Sequence, residues 1–191
     1  MEKSEVISKQ MIIIGGSAGS LVVLMKTLPR LDSIRVPIVI VLHRKGGEDT
    51  MLEDIIALKT KIPVKLVDDK MEVLSGCIYV APAGYHMLFE NDFTISLDTS
   101  PPINYSRPSI DVSFESASEV YGANLIGILL SGANNDGTQG LMAIQSKLGK
   151  TVVQSPESAE IAFMPEHAID KMAPDHILDV AGLLDFITLY K

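Results

Sequence analysis

The residues that could do chemistry begin at Gly15-Gly16-Ser17-Ala18-Gly19-Ser20, between an apolar run, MIII at 11–14, and a second apolar segment. A dinucleotide fingerprint needs glycine at the first, third and sixth positions. From Gly15 those positions hold Ser17 and Ser20, and from Gly16 they hold Ala18 and Leu21. A phosphate loop ends in Gly-Lys-Ser/Thr, and no lysine stands near. The pattern that fits is Gly15-x-Ser17-x-Gly19, a serine between small neighbours on a strand-to-helix turn. Small neighbours let the backbone turn sharply and let a substrate approach the hydroxyl. The competing reading is that Ser17 or Ser20 caps the following helix, a common task for serine.

A serine hydroxyl needs a base to take its proton, and the base needs an acid to orient it. Of four histidines, His43 follows the apolar run VPIVIVL and His86 follows IYVA after a short turn. His167 lies at a helix start and His176 near the C-terminus. Position favours His43, then His86, as base. For the acid, Asp136 in SGANNDGTQG follows the run LIGILL, in a loop rich enough in Gly and Asn to aim backbone N–H groups at one point. Its alternative task is to cap the helix that follows. Asp111, in RPSIDV, is a lesser candidate, expected within a helix as a solvent-facing or capping carboxylate.

These residues need elements to hold them. Short runs rich in Val and Ile recur at 11–14, 36–42, 64–67, 78–81, 125–130 and 151–154. Continuous apolar character predicts strands buried on both faces, as in a parallel sheet. Helical spacing appears at Leu21, Leu24, Met25 and Leu28, and again at Leu141, Ile144 and Leu148; residues 109–121 and 179–189 are further helix candidates. HMLFE and FTISL flank Asn91-Asp92 as an antiparallel hairpin. The expected fold is α/β: a doubly wound, mostly parallel sheet, helices on both faces, one hairpin. Ligands of such sheets bind beyond the carboxyl ends of the strands, where Ser17, His43 and Asp136 all fall.

Composition narrows the classes. The 191 residues suit one domain, read as a polar tail at 1–8 and a single catalytic domain at 9–191. Four arginines, a net charge of −8 and 5% aromatic residues argue against a nucleic-acid surface. No apolar stretch reaches the roughly 18 residues of a membrane span. The N-terminus carries no secretory segment, and the single Cys77 gives no disulfide framework. The expectation is a cytoplasmic monomer with no metal and no cofactor.

The order Ser–His–Asp differs from the Ser–Asp–His of α/β-hydrolases. The chain instead resembles the catalytic domain of the CheB protein-glutamate methylesterases. The landmarks are IGGSAGS, the histidine of VLHRKGG, VAPAGYHM, NYSRPSIDVSFESAS, ILLSGANNDGTQGLMAIQSKLGKTVVQ and FMPEHAI. The resemblance implies hydrolysis of methyl esters on glutamate side chains of chemoreceptor signalling helices, and deamidation of receptor glutamines. It implies Ser17 as nucleophile, His43 as general base, Asp136 as orienting acid, and an oxyanion hole at the backbone of Ala133 and Ala18. Gly16, Arg44, His86, Asn134 and Met164 would border the substrate cleft. The chain departs from the family pattern at Ala18 (usually Thr), at Arg44-Lys45 (usually Met-Pro), at Ala133 (usually Met) and at Glu166 (usually Arg). Arg44 and Lys45 are suited to attract acidic receptor helices, or to a solvated loop. Typical members also carry an N-terminal receiver domain, for which this chain leaves no room. The expectation is a stand-alone enzyme, with a separate response regulator as a candidate partner. Two other readings stay open: a non-catalytic receptor-docking module, and an esterase of the same mechanism acting on a different substrate.

Overall fold

The structure is a computed structural model and describes residues 8–44 and 52–191. Its centre is a seven-stranded sheet. The apolar runs supply β1 (Met11–Gly16), β2 (Ile38–Leu42), β3 (Val64–Leu66), β5 (Ile78–Val80), β8 (Leu125–Leu129) and β9 (Lys150–Gln154); β10 (His176–Leu178) completes the sheet. The order is β10-β9-β8-β1-β2-β5-β3, and every pairing is parallel. β1, β2 and β8 are buried at every residue, which is why they read as unbroken apolar runs.

Alternate residues of each strand face opposite sides. Ile12, Ile14, Ile38 and Ile40 pack with Val23 and Leu24 of α1 (Ser20–Thr27), Leu52 and Ile56 of α2 (Leu52–Ala57), and Leu183 and Ile187 of α6 (Val180–Thr188). Met11, Ile13, Val39 and Val41 pack with Ile110 and Phe114 of α3 (Ile110–Tyr121), Leu141 and Ile144 of α4 (Thr138–Ser146), and Met164 and Ala168 of α5 (Phe163–Lys171). Helices therefore cover both faces, as expected.

The hairpin is β6 (His86–Phe89) paired antiparallel with β7 (Thr94–Asp98). It stands outside the main sheet and takes a third strand, β4 (Met71–Glu72), to form a small sheet of its own. The sequence reading found neither β4 nor β10, nor α2. All three are too short to display a period.

The chain leaves β1 for β2 on one side and returns much later to β8 on the other. That reversal opens a crevice at the carboxyl end of β1. α3 and α4 meet closely beside it. A Cβ on Gly140 would meet the Cβ of Phe114, and would lie 3.2 Å from the backbone of Asp111. Only a residue without a side chain lets the two helix starts approach this far. Of the expected polar tail, residues 1–7 lie outside the described residues; Ser8 is buried and its hydroxyl donates to the Gln10 carbonyl at 2.6 Å.

Candidate active site

β1 and β2 run in register to the pair Gly16 and Leu42. Ser17 and His43 each stand one residue beyond that pair, so parallel pairing brings them side by side. The His43 N–H still donates to the Gly16 carbonyl at 3.1 Å, which holds the two chain ends together. Beyond them lies an open cleft of about 350 Å³ lined by Ser17, Ala18, Gly19, Leu21, Leu42, His43, Arg44 and Leu52.

The turn at Ser17 is built from neutral bonds. The Ser17 N–H donates to the Ser131 carbonyl at 2.9 Å and lies 3.0 Å from the Ser20 hydroxyl oxygen. That hydroxyl in turn donates to the Ser131 carbonyl at 2.7 Å. Neither serine caps α1: the N-cap position is Gly19, at φ +83°, with no side-chain bond. That left-handed backbone is one glycine adopts without cost. The capping alternative for the opening motif is thereby overturned. The Ser17 hydroxyl makes no hydrogen bond among the described residues and faces the cleft half-buried.

His43 Nε2 lies 2.7 Å from Asp136 Oδ2. Asp136 is wholly buried. Burial opposes its ionisation, yet the bond from His43 and the N–H groups of Ile110 and Asp111 outweigh burial and hold the carboxyl down at about 2. An ionised carboxylate only accepts, so Nε2 carries the proton and Nδ1 of the neutral ring is left as a base.

Asp136 does not cap the helix after it, as its alternative reading supposed. The N-cap of α4 is Gly137, which has no side chain to cap with. The Asp136 carboxylate sits instead on the N-terminus of α3: Ile110 N–H donates to Oδ2 at 2.7 Å, and Asp111 N–H and the Ser109 hydroxyl donate to Oδ1, each at 3.0 Å. The positive end of a helix suits a buried negative charge. Asp111 returns the arrangement. It is buried rather than solvent-facing, and its Oδ1 accepts the N–H groups of Gly137 and Gly140 at the start of α4, both at 2.8 Å.

In the loop after β8, Gly132 gives its N–H to the Ile161 carbonyl at 3.2 Å. The next N–H, that of exposed Ala133, finds no acceptor among the described residues, and neither does that of exposed Ala18. Asn134 Oδ1 accepts the Asp136 N–H at 3.2 Å and so shapes the loop. Met164 is buried against Gly132, and its N–H donates to the Gly132 carbonyl at 3.0 Å. It backs the loop from behind. Glu166 is exposed on α5.

Of the other two expected cleft residues, His86 is placed elsewhere and Arg44 lines the cleft with its charge turned inward. His86 is buried, with Nδ1 accepting the Ser109 N–H at 3.2 Å and Nε2 donating to the Pro101 carbonyl at 3.1 Å. Both nitrogens are engaged beneath the start of α3, so it offers no free base to Ser17. Arg44 does not project a charge outward. Its side chain is 4% exposed, Nη2 donates to the Ala81 carbonyl at 2.8 Å, and Nη1 lies 3.6 Å from Glu53. The end of β5 lies beside that of β2, and its free carbonyl draws the guanidinium in. Lys45 lies outside the described residues. His167 bonds Thr138 at 2.9 Å, and His176 packs on Phe186; both belong to other parts of the molecule. The sequence reading missed Ser109 and Asn104, although Ser109 before the apolar start of α3 is an N-cap signal, and its hydroxyl does bond Val112 N–H.

The model of the CheB methylesterase family matches residues 12–187. The chain belongs to the CheB methylesterase family. A Leptospira interrogans protein, named provisionally as a protein-glutamate methylesterase/protein-glutamine glutaminase, is 44% identical over 91% of this chain and 91% of its own length. The protein-glutamate methylesterase/protein-glutamine glutaminase 1 of Carboxydothermus hydrogenoformans is 32% identical over 93% of this chain, but over only 54% of its own length. Among solved structures, the CheB methylesterase catalytic domain of Thermotoga maritima superposes with a TM-score of 0.89 at 27% identity, covering 95% of this chain and 98% of that one. The all-parallel sheet and the small antiparallel sheet are therefore the CheB catalytic fold. No helix among the described residues is long and apolar enough to cross a membrane.

Proposed function

We propose that this CheB methylesterase domain is a serine hydrolase that removes methyl esters from glutamate side chains of chemoreceptors and deamidates receptor glutamines. The observation that carries this reading is the 2.7 Å bond from His43 to buried Asp136, with the other face of His43 on the cleft that Ser17 lines. The names of the relatives supply the substrate class.

The chemistry follows from the geometry. The Ser17 hydroxyl attacks the ester carbonyl as Nδ1 of His43 takes its proton. Asp136 holds the ring and balances the positive charge that forms on it. Negative charge developing on the carbonyl oxygen is met by the N–H groups of Ala18 and Ala133, each such donor worth about 3 kcal/mol. His43 then protonates the departing methoxide, releasing methanol. Water repeats the steps on the acyl-enzyme, leaving glutamate and free Ser17. With an amide in place of the ester, the leaving group is ammonia and the product is the same carboxylate.

The test is release of labelled methanol from a methyl-labelled receptor, with Ser17→Ala as control. Release that depends on Ser17 is expected; release no faster than the control would overturn the assignment.

A further inference from the structure

Asp111 has no part in the mechanism above, yet it grips Asp136 from both sides. Its own N–H donates to Asp136 Oδ1 at 3.0 Å. Its Oδ1 accepts the N–H of Gly137 at 2.8 Å, the amide joined directly to the Asp136 carbonyl carbon. The same oxygen takes the Gly140 N–H one turn on, also at 2.8 Å. α3 and α4 thus exchange carboxylates, each receiving at its positive end the acid carried by the other. The Asn104 amide joins the two, 3.3 Å from Asp111 Oδ2 and 3.4 Å from Asp136 Oδ1.

We infer that Asp111 is a positioning residue for the triad, fixing the peptide after Asp136 so that Asp136 Oδ2 is presented to His43. The inference rests on the triad reading given above. Two buried carboxyls this close cannot both ionise cheaply. Burial pushes Asp111 up, the Gly140 N–H pulls it back, and the charge on Asp136 pushes it up again, to about 7. The role therefore asks Asp111 for hydrogen bonds, not for charge. Asparagine can supply the bonds to α4: its amide oxygen accepts the two glycine N–H groups, and its NH₂ takes the Oδ2 position, which the Asn104 amide then meets with its oxygen. Alanine supplies none.

The experiment measures kcat and KM for methanol release from labelled receptor, with circular dichroism and a thermal melt to report folding. The proteins are the wild type, Asp111→Asn, Asp111→Ala and Ser17→Ala. The expected result is a kcat lowered about 10- to 100-fold in Asp111→Ala with KM within about twofold, and recovery to within about threefold of wild type in Asp111→Asn. Folded Asp111→Ala with wild-type kcat overturns the inference, as does Asp111→Asn falling as far as Asp111→Ala. If Asp111→Ala does not fold, Asp111→Glu replaces it. Glu keeps the acceptor but moves it by one methylene, and a kcat equal to wild type would overturn the inference. Activity in Ser17→Ala would instead overturn the triad reading itself, so the two failures are separable.

Discussion

The serine side and the acid side of the cleft are held in opposite ways. Ser17 stands on a turn fixed entirely by neutral groups: its own N–H, the Ser20 hydroxyl and the Ser131 carbonyl. Its hydroxyl has no partner among the described residues. Asp136 stands on charge. Its carboxylate is wholly buried and ringed by His43, Ile110 N–H, Asp111 N–H, the Ser109 hydroxyl and the Asn104 amide. The proposed nucleophile must keep its reacting atom free, so the fold can grip only its backbone. A buried anion must replace water at every lone pair, so the fold grips the side chain itself. Loss of the Ser17 hydroxyl should therefore appear in rate with little change in stability. Damage to the acid side should appear in both.

The sharpest break is Ser17→Ala. It removes the proposed reacting atom and no hydrogen bond of the turn. Turnover in the methanol assay should fall by about 10⁶, the scale on which such triads lose activity as a unit. The urea midpoint should stay near that of wild type. A large drop in stability would mean that the hydroxyl is structural after all.

Asp136→Asn should fail on both counts. The amide NH₂ must face donors in either orientation: His43 Nε2–H and Ile110 N–H at the Oδ2 position, or Asp111 N–H at the Oδ1 position. Turning it toward His43 favours the wrong tautomer, a change that typically costs about 10⁴ in kcat. In either orientation a buried N–H opening α3 is left unpaired, at roughly 1–3 kcal/mol. Methanol release and urea unfolding of the same preparation read the two losses. Asp136→Asn at full stability would break the contrast between the two sides.

How far this contrast could be read from the sequence follows the same division. Ser17, His43 and Asp136 could be found because each lies just past an apolar run, and a parallel sheet gathers such ends at one edge. The motif around Ser17 is local, so glycine spacing alone eliminated a nucleotide loop. The acid side is not local. That Asp136 serves α3 and Asp111 serves α4 depends on two helix starts, at Ile110 and Thr138, meeting across Gly140. No spacing rule contains that. The same holds for His86, drawn under Ser109 because the hairpin folds against α3, and for Arg44, turned inward by a carbonyl at the end of β5. The parallel strands were legible because burial on both faces leaves an unbroken apolar run. β4, with two residues, and β10, three residues on the sheet edge of which two are exposed, leave no comparable trace.

The charged side should also set how stability depends on pH. Asp111 is raised from 3.8 to about 7 in the folded protein. Between those values the folded chain holds a proton that the unfolded chain has released. Asp111 therefore contributes a stability that is fully present below about pH 4, declines as pH rises, and is gone above about pH 7. Asp136, lowered to about 2, has the opposite sign: its contribution is present above about pH 4 and lost as pH falls toward 2. Asp111→Asn cannot ionise, so its urea midpoint should lack the decline between pH 4 and 7 that the wild type shows. Parallel curves for the two proteins would mean that Asp111 is ionised throughout.

The smallest effect belongs to the neutral side. Ser20→Ala removes a buried hydroxyl that donates to the Ser131 carbonyl and accepts from Ser17 N–H. Neither partner is orphaned, because the Ser17 N–H and the Ser131 carbonyl remain bonded to each other at 2.9 Å. The cost is then that of one ordinary hydrogen bond, about 1 kcal/mol. The turn keeps its course, because its geometry comes from Gly19 and from the pairing of β1 with β2 and β8. The methanol assay should find kcat within about tenfold of wild type and KM unchanged. If Ser20→Ala were as inactive as Ser17→Ala, the hydroxyl of Ser20 would be holding the nucleophile itself. The serine side would then depend on side-chain contacts as fully as the acid side does.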